Sequence, residues 1–356
     1  MKSLCRTPFG SLPDRTINEF KLRNSNGMEA RILDYGGIIT QLHVPGRRGL
    51  EDIVLGFDNP AEYLRNPCFF GAIIGRVTNR IAGARFTLDG KTSQLDANEP
   101  PNHLHGGFQA FHKQHWLAEA YADRGDCCLR LQRRSPDGEC GYPGGLDTVV
   151  IYRLTEDNTL HFSIAANTDQ PTPVSISQHS YFNLAGHNAG DIGSHRLQLA
   201  AETVTEVDDH LLPTGRLLPV AGTPFDFTIP TAIGARQQAL AGSYDINYVV
   251  KKADTGIVLP AARLYEPVSG RVLTISTTKP GMQFYDGSHL ASTRLRGKGN
   301  TVYGRCAGLC LEPQHFPDAI NHPEFPSPVL RPGECYEHTT IFSFGIAAPE
   351  TEPTMI

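Results

Sequence analysis

The stretch Ala84-Arg85-Phe86-Thr87-Leu88-Asp89-Gly90-Lys91-Thr92-Ser93-Gln94-Leu95 reads as two short strands joined by a two-residue Asp-Gly connection. Asp-Gly accepts the paired positive φ angles of a type I′ turn, whose twist matches that of antiparallel strands, so the spacing predicts a tight hairpin. A second hairpin follows the same logic: Arg263-Leu264-Tyr265-Glu266, a Pro-Val-Ser-Gly turn, then Arg271-Val272-Leu273-Thr274-Ile275-Ser276. Working outward, residues 38–44, 128–133, 148–154, 160–165, 308–311 and 339–344 are short strand candidates bounded by Gly, Pro, Asn or Asp. Helical signals are two: a turn around Pro60-Ala61-Glu62-Tyr63-Leu64, and a possible helix over 232–241, rich in Ala and Gln despite Gly234. Strands without helices between them leave antiparallel architectures, so the expected fold is all-β, a large antiparallel β-sandwich with few short helices.

Composition agrees. The 356 residues include 35 glycines and 26 prolines, a usage that favours many turns. At roughly 150 residues per domain the length suits two domains. No Pro/Ser-rich linker, charge block or repeat divides the chain, so a single domain over 1–356 is expected. Hydrophobic residues make up 40%, charged residues 19%, and mean hydropathy is −0.28, which excludes a disordered chain. No run approaches ~18 apolar residues, so no membrane helix is expected. A net charge of −5 without a basic stripe argues against nucleic acid. The first residues, Met1-Lys2-Ser3-Leu4-Cys5-Arg6-Thr7-Pro8, show no apolar signal region, which favours the cytoplasm. Eight cysteines at irregular spacings fit neither a disulfide framework nor a zinc ribbon and are read as reduced and mostly interior.

Polar residues gather in four segments. Gly75-Arg76-Val77-Thr78-Asn79-Arg80-Ile81 reads, by itself, as a surface turn with solvated arginines. In Asn102-His103-Leu104-His105-Gly106-Gly107 two histidines at i and i+2 would both reach a metal if they faced one way on a strand. No nearby Glu completes such a set, however, and Gly-Gly points to a loop, so no metal is expected. In Gln178-His179-Ser180-Tyr181-Phe182-Asn183, adjacency sends His179 and Ser180 to opposite faces of a strand, which rules out a hydrolase dyad. His179 alone is equally an inert buried histidine, while Tyr181 suits stacking on the apolar face of a sugar. In Gly308-Leu309-Cys310-Leu311-Glu312-Pro313-Gln314-His315, period-two alternation puts Leu309 and Leu311 on one face and Cys310 and Glu312 on the other, with Pro313 expected to stop the strand. A carboxylate on such a strand is costly to desolvate, and is therefore either paired or functional. No phosphate-cradling glycine pattern is present, so no nucleotide cofactor is indicated.

Taken in order, Gly-Arg-x-x-Asn-Arg-Ile (75–81), Leu-His-Gly-Gly (104–107), Asp-Gly-Glu-x-Gly-Tyr-Pro-Gly (137–144), His-Ser-Tyr-Phe-Asn-Leu (179–184), Tyr244-Asp245 with Asn247, Pro-Gly-Met-Gln-Phe-Tyr (280–285) and Leu-Glu-Pro-Gln (311–314) resemble the aldose 1-epimerase (galactose mutarotase) family, from about Gly36 to Phe344. The resemblance implies a β-sandwich with an open sugar cleft, no cofactor, and interconversion of the α and β anomers of free aldohexoses such as galactose and glucose. It implies Glu312 as general base and His179 as general acid. Asn79, Arg80, His105, Asp245 and Gln283 would bind the sugar, and the charge of Arg80 would help keep Glu312 ionised if the two approach closely. Thr78, Gln178 and Ile246 stand where the family commonly has Ala, Asn and His, and the last bears on the surroundings of Asp245. The expected partner is a monosaccharide, bound by a monomer or homodimer. The alternatives are a non-catalytic sugar-binding module, a glycoside hydrolase using Asp245 with Glu312, and a mutarotase for phosphorylated sugars, which would need a basic pocket.

Overall fold

A nine-stranded, a six-stranded and a five-stranded antiparallel sheet form the body of the chain. The computed structural model describes residues 2–12, 15–240, 242–250, 256–293 and 296–347. The nine-stranded sheet runs in the order Leu117–Asp123, Asp126–Ser135, Leu146–Leu154, Thr159–Thr168, Tyr336–Ile346, Arg271–Thr277, Leu259–Tyr265, Arg196–Leu199 and Thr231–Ala232. The six-stranded sheet runs Tyr181–Phe182, Leu309–Gln314, Gly281–Tyr285, Asp245–Val249, Thr203–Val207 and Pro213–Pro219. The five-stranded sheet is a meander from Ser3 to Asp52. Inward residues of all three, among them Leu22, Ile32, Val150, Phe162, Met282 and Leu311, share one apolar interior. That burial is the main force holding the layers together.

Both hairpins form as the turn chemistry demands. Arg85 pairs with Gln94 and Leu88 with Lys91, around Asp89 at φ 49° and Gly90 at φ 78°. Leu264 pairs with Leu273 and Tyr265 with Val272. All six further strand candidates coincide with strands of the structure, two of them (38–44 and 308–311) beginning one residue before the strands Ile39–Gly46 and Leu309–Gln314.

Three local expectations change. Residues 232–241 do not form an α-helix: they make two 3₁₀ turns, Ile233–Ala235 and Gln237–Ala239, interrupted at Arg236 (φ −119°). Ala241 lies outside the described residues. Pro313 does not end its strand, which continues to Gln314. Past Cys310 this strand is paired on one side only, with Gly281–Tyr285, and such an edge tolerates a residue without an N–H. Arg76 is not a solvated surface arginine but is 2% exposed. It donates to the carbonyls of Pro143 and Gly144 (both 2.9 Å) and to Ser135 Oγ (2.6 Å). The Gly-Tyr-Pro-Gly part of the 137–144 motif thus serves as the socket that holds the 75–81 segment in place.

All eight cysteines are free; four are buried, Cys68 and Cys140 are half-buried, and Cys5 and Cys335 are exposed. Among the described residues no helix is long and apolar enough to cross a membrane.

Buried histidines make the fold acid-sensitive. Burial lowers His103 to about 4, His112 to about 3 and His195 to about 4. Each is neutral when folded, whereas the unfolded chain protonates it near the usual ~6.5, so the unfolded state binds more protons between those values. Their stabilisation is complete above ~6.5 and is lost as pH falls toward their folded values. Glu312, Asp245 and Asp318, raised by burial, act in the opposite sense and offset part of the loss. The expected result is a melting temperature that declines from about pH 7 toward pH 4.5; calorimetry showing a flat or rising Tm would contradict it.

Candidate active site

The cleft is built on the outer face of the six-stranded sheet. In the strand Leu309–Gln314, Leu309 and Leu311 enter the core, so Cys310 and Glu312 must face the other way. Register places Gln283 directly opposite Glu312 and Asn247 opposite Gln283. Gln283 Nε2 donates to Asp245 Oδ1 at 2.6 Å; Asp245 pairs with Tyr285, so Glu312 and Gln283 share one cross-strand row and Asp245 lies diagonal to it.

The walls come from elsewhere in the chain. His179 ends the short strand Ser177–His179, which pairs with Ala72–Ile74. Asn79 and His105 both take left-handed backbone, at φ 69° and 51°. They are tied to each other, with His105 N–H donating to the Asn79 carbonyl (3.0 Å) and Asn79 N–H to His105 Nδ1 (3.2 Å). Gly106 is required beside them, because a Cβ there would lie 2.0 Å from the carbonyl oxygen of Gly75. The resulting cleft, about 340 Å³, is lined by Asn79, Arg80, His105, His179, Tyr181, Asp245, Gln283 and Glu312 together with Phe69, Glu99 and others.

At its buried end, Glu312 Oε2 stands 3.6 Å from His179 Nε2, longer than a hydrogen bond, and that oxygen has no hydrogen-bond partner. Burial raises Glu312 well above the usual carboxylate range, with Asp245 adding to the effect. Burial also lowers His179 to about 4. Both shifts favour the uncharged forms, with the labile proton of the pair on Glu312 and the imidazole neutral.

A family model described as "Aldose 1-epimerase" matches residues 18–343. The galactose mutarotase of Rattus norvegicus is 43% identical over 98% of this chain and 100% of its own length, and that of Homo sapiens is 42% identical with the same coverage. The aldose 1-epimerase of Escherichia coli K12 is 36% identical over 91% of this chain and 94% of its own. The chain belongs to the aldose 1-epimerase family. In shape it is similar to an aldose epimerase homologue from C. elegans (TM-score 0.84, 28% identity, 92% of this chain and 98% of that one). It is equally similar to galactose 1-epimerase from Lactobacillus acidophilus (TM-score 0.84, 25% identity, 98% and 100%).

In this aldose 1-epimerase family member the three residues that depart from the motif pattern do not line the cleft. Ile246 is buried in the core cluster, on the face opposite Asp245, and so does not change that residue's surroundings. Thr78 Oγ1 donates to the Ser175 carbonyl (2.7 Å), and Gln178 Nε2 donates to the Gly71 carbonyl and to Ser180 Oγ (both 2.9 Å).

Arg80 does not partner Glu312. Its guanidinium forks onto Glu99, at 2.6 and 2.9 Å, and approaches Asp245 at 3.9 Å. Glu99 went unnoticed in the sequence because nothing in Asn98-Glu99-Pro100-Pro101 marks it as facing Arg80. Phe69 was missed too. Its ring meets His105 and His112 edge-on at 4.8 Å each and lies 5.8 Å from His179, an apolar cover that helps keep these rings uncharged.

The histidine pair at 103 and 105 does not face one way. His103 turns to the Tyr142 hydroxyl and the Asp96 carbonyl, each at 2.7 Å. A carboxylate does reach His105 after all, but it comes from far along the chain: ligating atoms of His105, His179 and Glu312 lie within 4.8 Å of one another. The trio nevertheless fits a metal poorly. His105 Nδ1 accepts the Asn79 N–H, so the neutral ring carries its proton on Nε2 and presents a donor, not a lone pair.

Proposed function

We propose that the chain interconverts the α and β anomers of free aldohexoses, galactose and glucose among them, with Glu312 as the base at O1 and His179 as the acid at the ring oxygen O5. Family membership, with 42–43% identity across the mammalian galactose mutarotases, makes it an isomerase of aldoses. The observation that supports the residue roles is the Glu312 Oε2 to His179 Nε2 pairing at 3.6 Å in the buried end of the cleft.

Ring opening needs a proton removed from the anomeric hydroxyl and one delivered to O5 as the C1–O5 bond breaks. The ionic form of the pair, carboxylate and imidazolium, does both at once. Its products are the open-chain aldehyde and the neutral pair, the form that burial prefers. Rotation about C1–C2 presents the other aldehyde face; Glu312 then returns its proton to O1 while neutral His179 takes one from the O5 hydroxyl, which closes the opposite anomer and restores the ionic pair. No net proton is taken up, and no covalent intermediate forms.

Asn79, Arg80, His105, Asp245 and Gln283 would hold the hydroxyls, and Tyr181 one apolar face. The Glu99 fork engages Nε and NH2 and leaves NH1 3.9 Å from Asp245 Oδ2, and a fixed planar guanidinium positions oxygens at low entropic cost. Among the described residues lining the cleft, Arg80 is the sole Lys or Arg, and it is already paired with Glu99. Eight unpaired cysteines suit the reducing cytoplasm.

Polarimetry on freshly dissolved α-D-galactose and α-D-glucose tests the reading. The expected result is faster relaxation to the same final rotation as the spontaneous reaction. Sugar binding without acceleration would leave a binding module, and release of aryl alcohols from aryl glycosides would mark a hydrolase.

A further inference from the structure

The strand that carries Glu312 also touches the far side of the same imidazole. Cys310 and Glu312, two residues apart, project from one face. Cys310 Sγ lies 3.5 Å from His179 Nδ1, while Glu312 Oε2 lies 3.6 Å from Nε2. Cys310 is completely buried, and His179 is 4% exposed. Two consecutive positions of one face therefore address the two nitrogens of one ring.

We infer that Cys310 is a positioning residue for His179: its sulfur fixes the ring and holds the Nδ1 proton in place, leaving Nε2 as the nitrogen that exchanges a proton with the sugar and Glu312. The inference rests on the reading of His179 as the acid. An imidazole that gives and regains a proton at Nε2 must keep its other proton on Nδ1 throughout, otherwise the lone pair appears on the wrong side of the ring. A carboxylate facing Nδ1 would keep that proton too, but its charge would stabilise the imidazolium and blunt it as an acid. Sulfur is a weak, neutral acceptor that orients the ring with little such effect. The thiol stays a thiol, since burial pushes it well above its usual range, with Glu312 and Asp245 adding to that.

The other groups around His179 are consistent with this division. Glu312 faces Nε2, and the rings of His105 and Tyr181 each stand 5.2 Å away. Phe69 covers the ring at 5.8 Å and in turn contacts His112. The residue's own backbone carbonyl is a further acceptor beside it.

The test compares the wild type with Cys310→Ala and Cys310→Ser in the full-length protein, by kcat and KM for galactose, by the pH dependence of kcat, and by nitrogen NMR of His179. In the wild type the proton is expected on Nδ1. Cys310→Ala should lower kcat by about tenfold, the lower end of what loss of an outer partner costs a metal-bound histidine, with KM changed by less than about twofold. In Cys310→Ser an oxygen accepts the same proton more strongly, so most of kcat should return, and the pH limb set by His179 should move upward.

Unchanged kcat and pH profile in both variants would reduce Cys310 to packing, and a rise in KM alone would make it a matter of cleft shape. A wild-type spectrum with Nδ1 bare and Nε2 protonated overturns the inference whether or not the variants fold. Normal turnover in His179→Asn would instead overturn the acid role itself, and the NMR result would still report on Cys310.

Discussion

Glu312→Gln loses mutarotation by at least about two to four orders of magnitude while galactose and glucose still bind, the scale expected when a positioned base is removed. The reasoning starts from volume and charge. Gln fills the same space on the strand Leu309–Gln314, so the register with Gln283 and the core contacts of Leu309 and Leu311 stay. The amide cannot take the O1 proton, and the partner at 3.6 Å loses the group that acts in concert with it. The fold should not suffer, because the carboxyl is buried with an unpartnered oxygen, and a neutral side chain there costs no more to bury. Polarimetry with calorimetric binding decides the matter. A variant within about tenfold of wild type would be too active for one lacking its base, and lost binding with an intact rate per bound sugar would make Glu312 a ligand contact.

His179→Asn should fail in a different way. Asn keeps a polar donor of moderate size on the short strand Ser177–His179 but cannot deliver a proton to O5, so kcat falls by a comparable ~10²–10⁴ with a modest change in KM. The loss should not sum with that of Glu312→Gln. The two groups move their protons in one concerted step, and once either is gone the other has little left to contribute. A double variant about as slow as the worse single one is the expected result. Fully multiplicative losses would mean that the two residues act in separate steps. Should His179→Asn weaken binding and leave kcat unchanged, His179 is a binding residue and the acid lies elsewhere.

The sequence by itself determined the class of fold and much of the local geometry. Asp89-Gly90 specified a turn with two positive φ angles, and the turn formed around that pair. Alternation in Leu309-Cys310-Leu311-Glu312 specified which side chains share a face, and Leu309 and Leu311 are in the core as it requires. Motif order gave the family. These signals are local, since φ preference and period-two alternation are properties of a few consecutive residues.

Tertiary structure decided what each side chain meets. Arg80 faces Glu99 and Asp245 instead of Glu312. His103 turns away to Tyr142, while His105 joins His179 and Glu312 from distant strands. Arg76, read as a solvated arginine, is buried against carbonyls 67 and 68 residues further along the chain. Pro313 continues its strand because the neighbour on one side stops short. In each case the deciding contact joins segments far apart in sequence, and a strand pattern states the face a residue takes but not the partner that the sheet will bring to it.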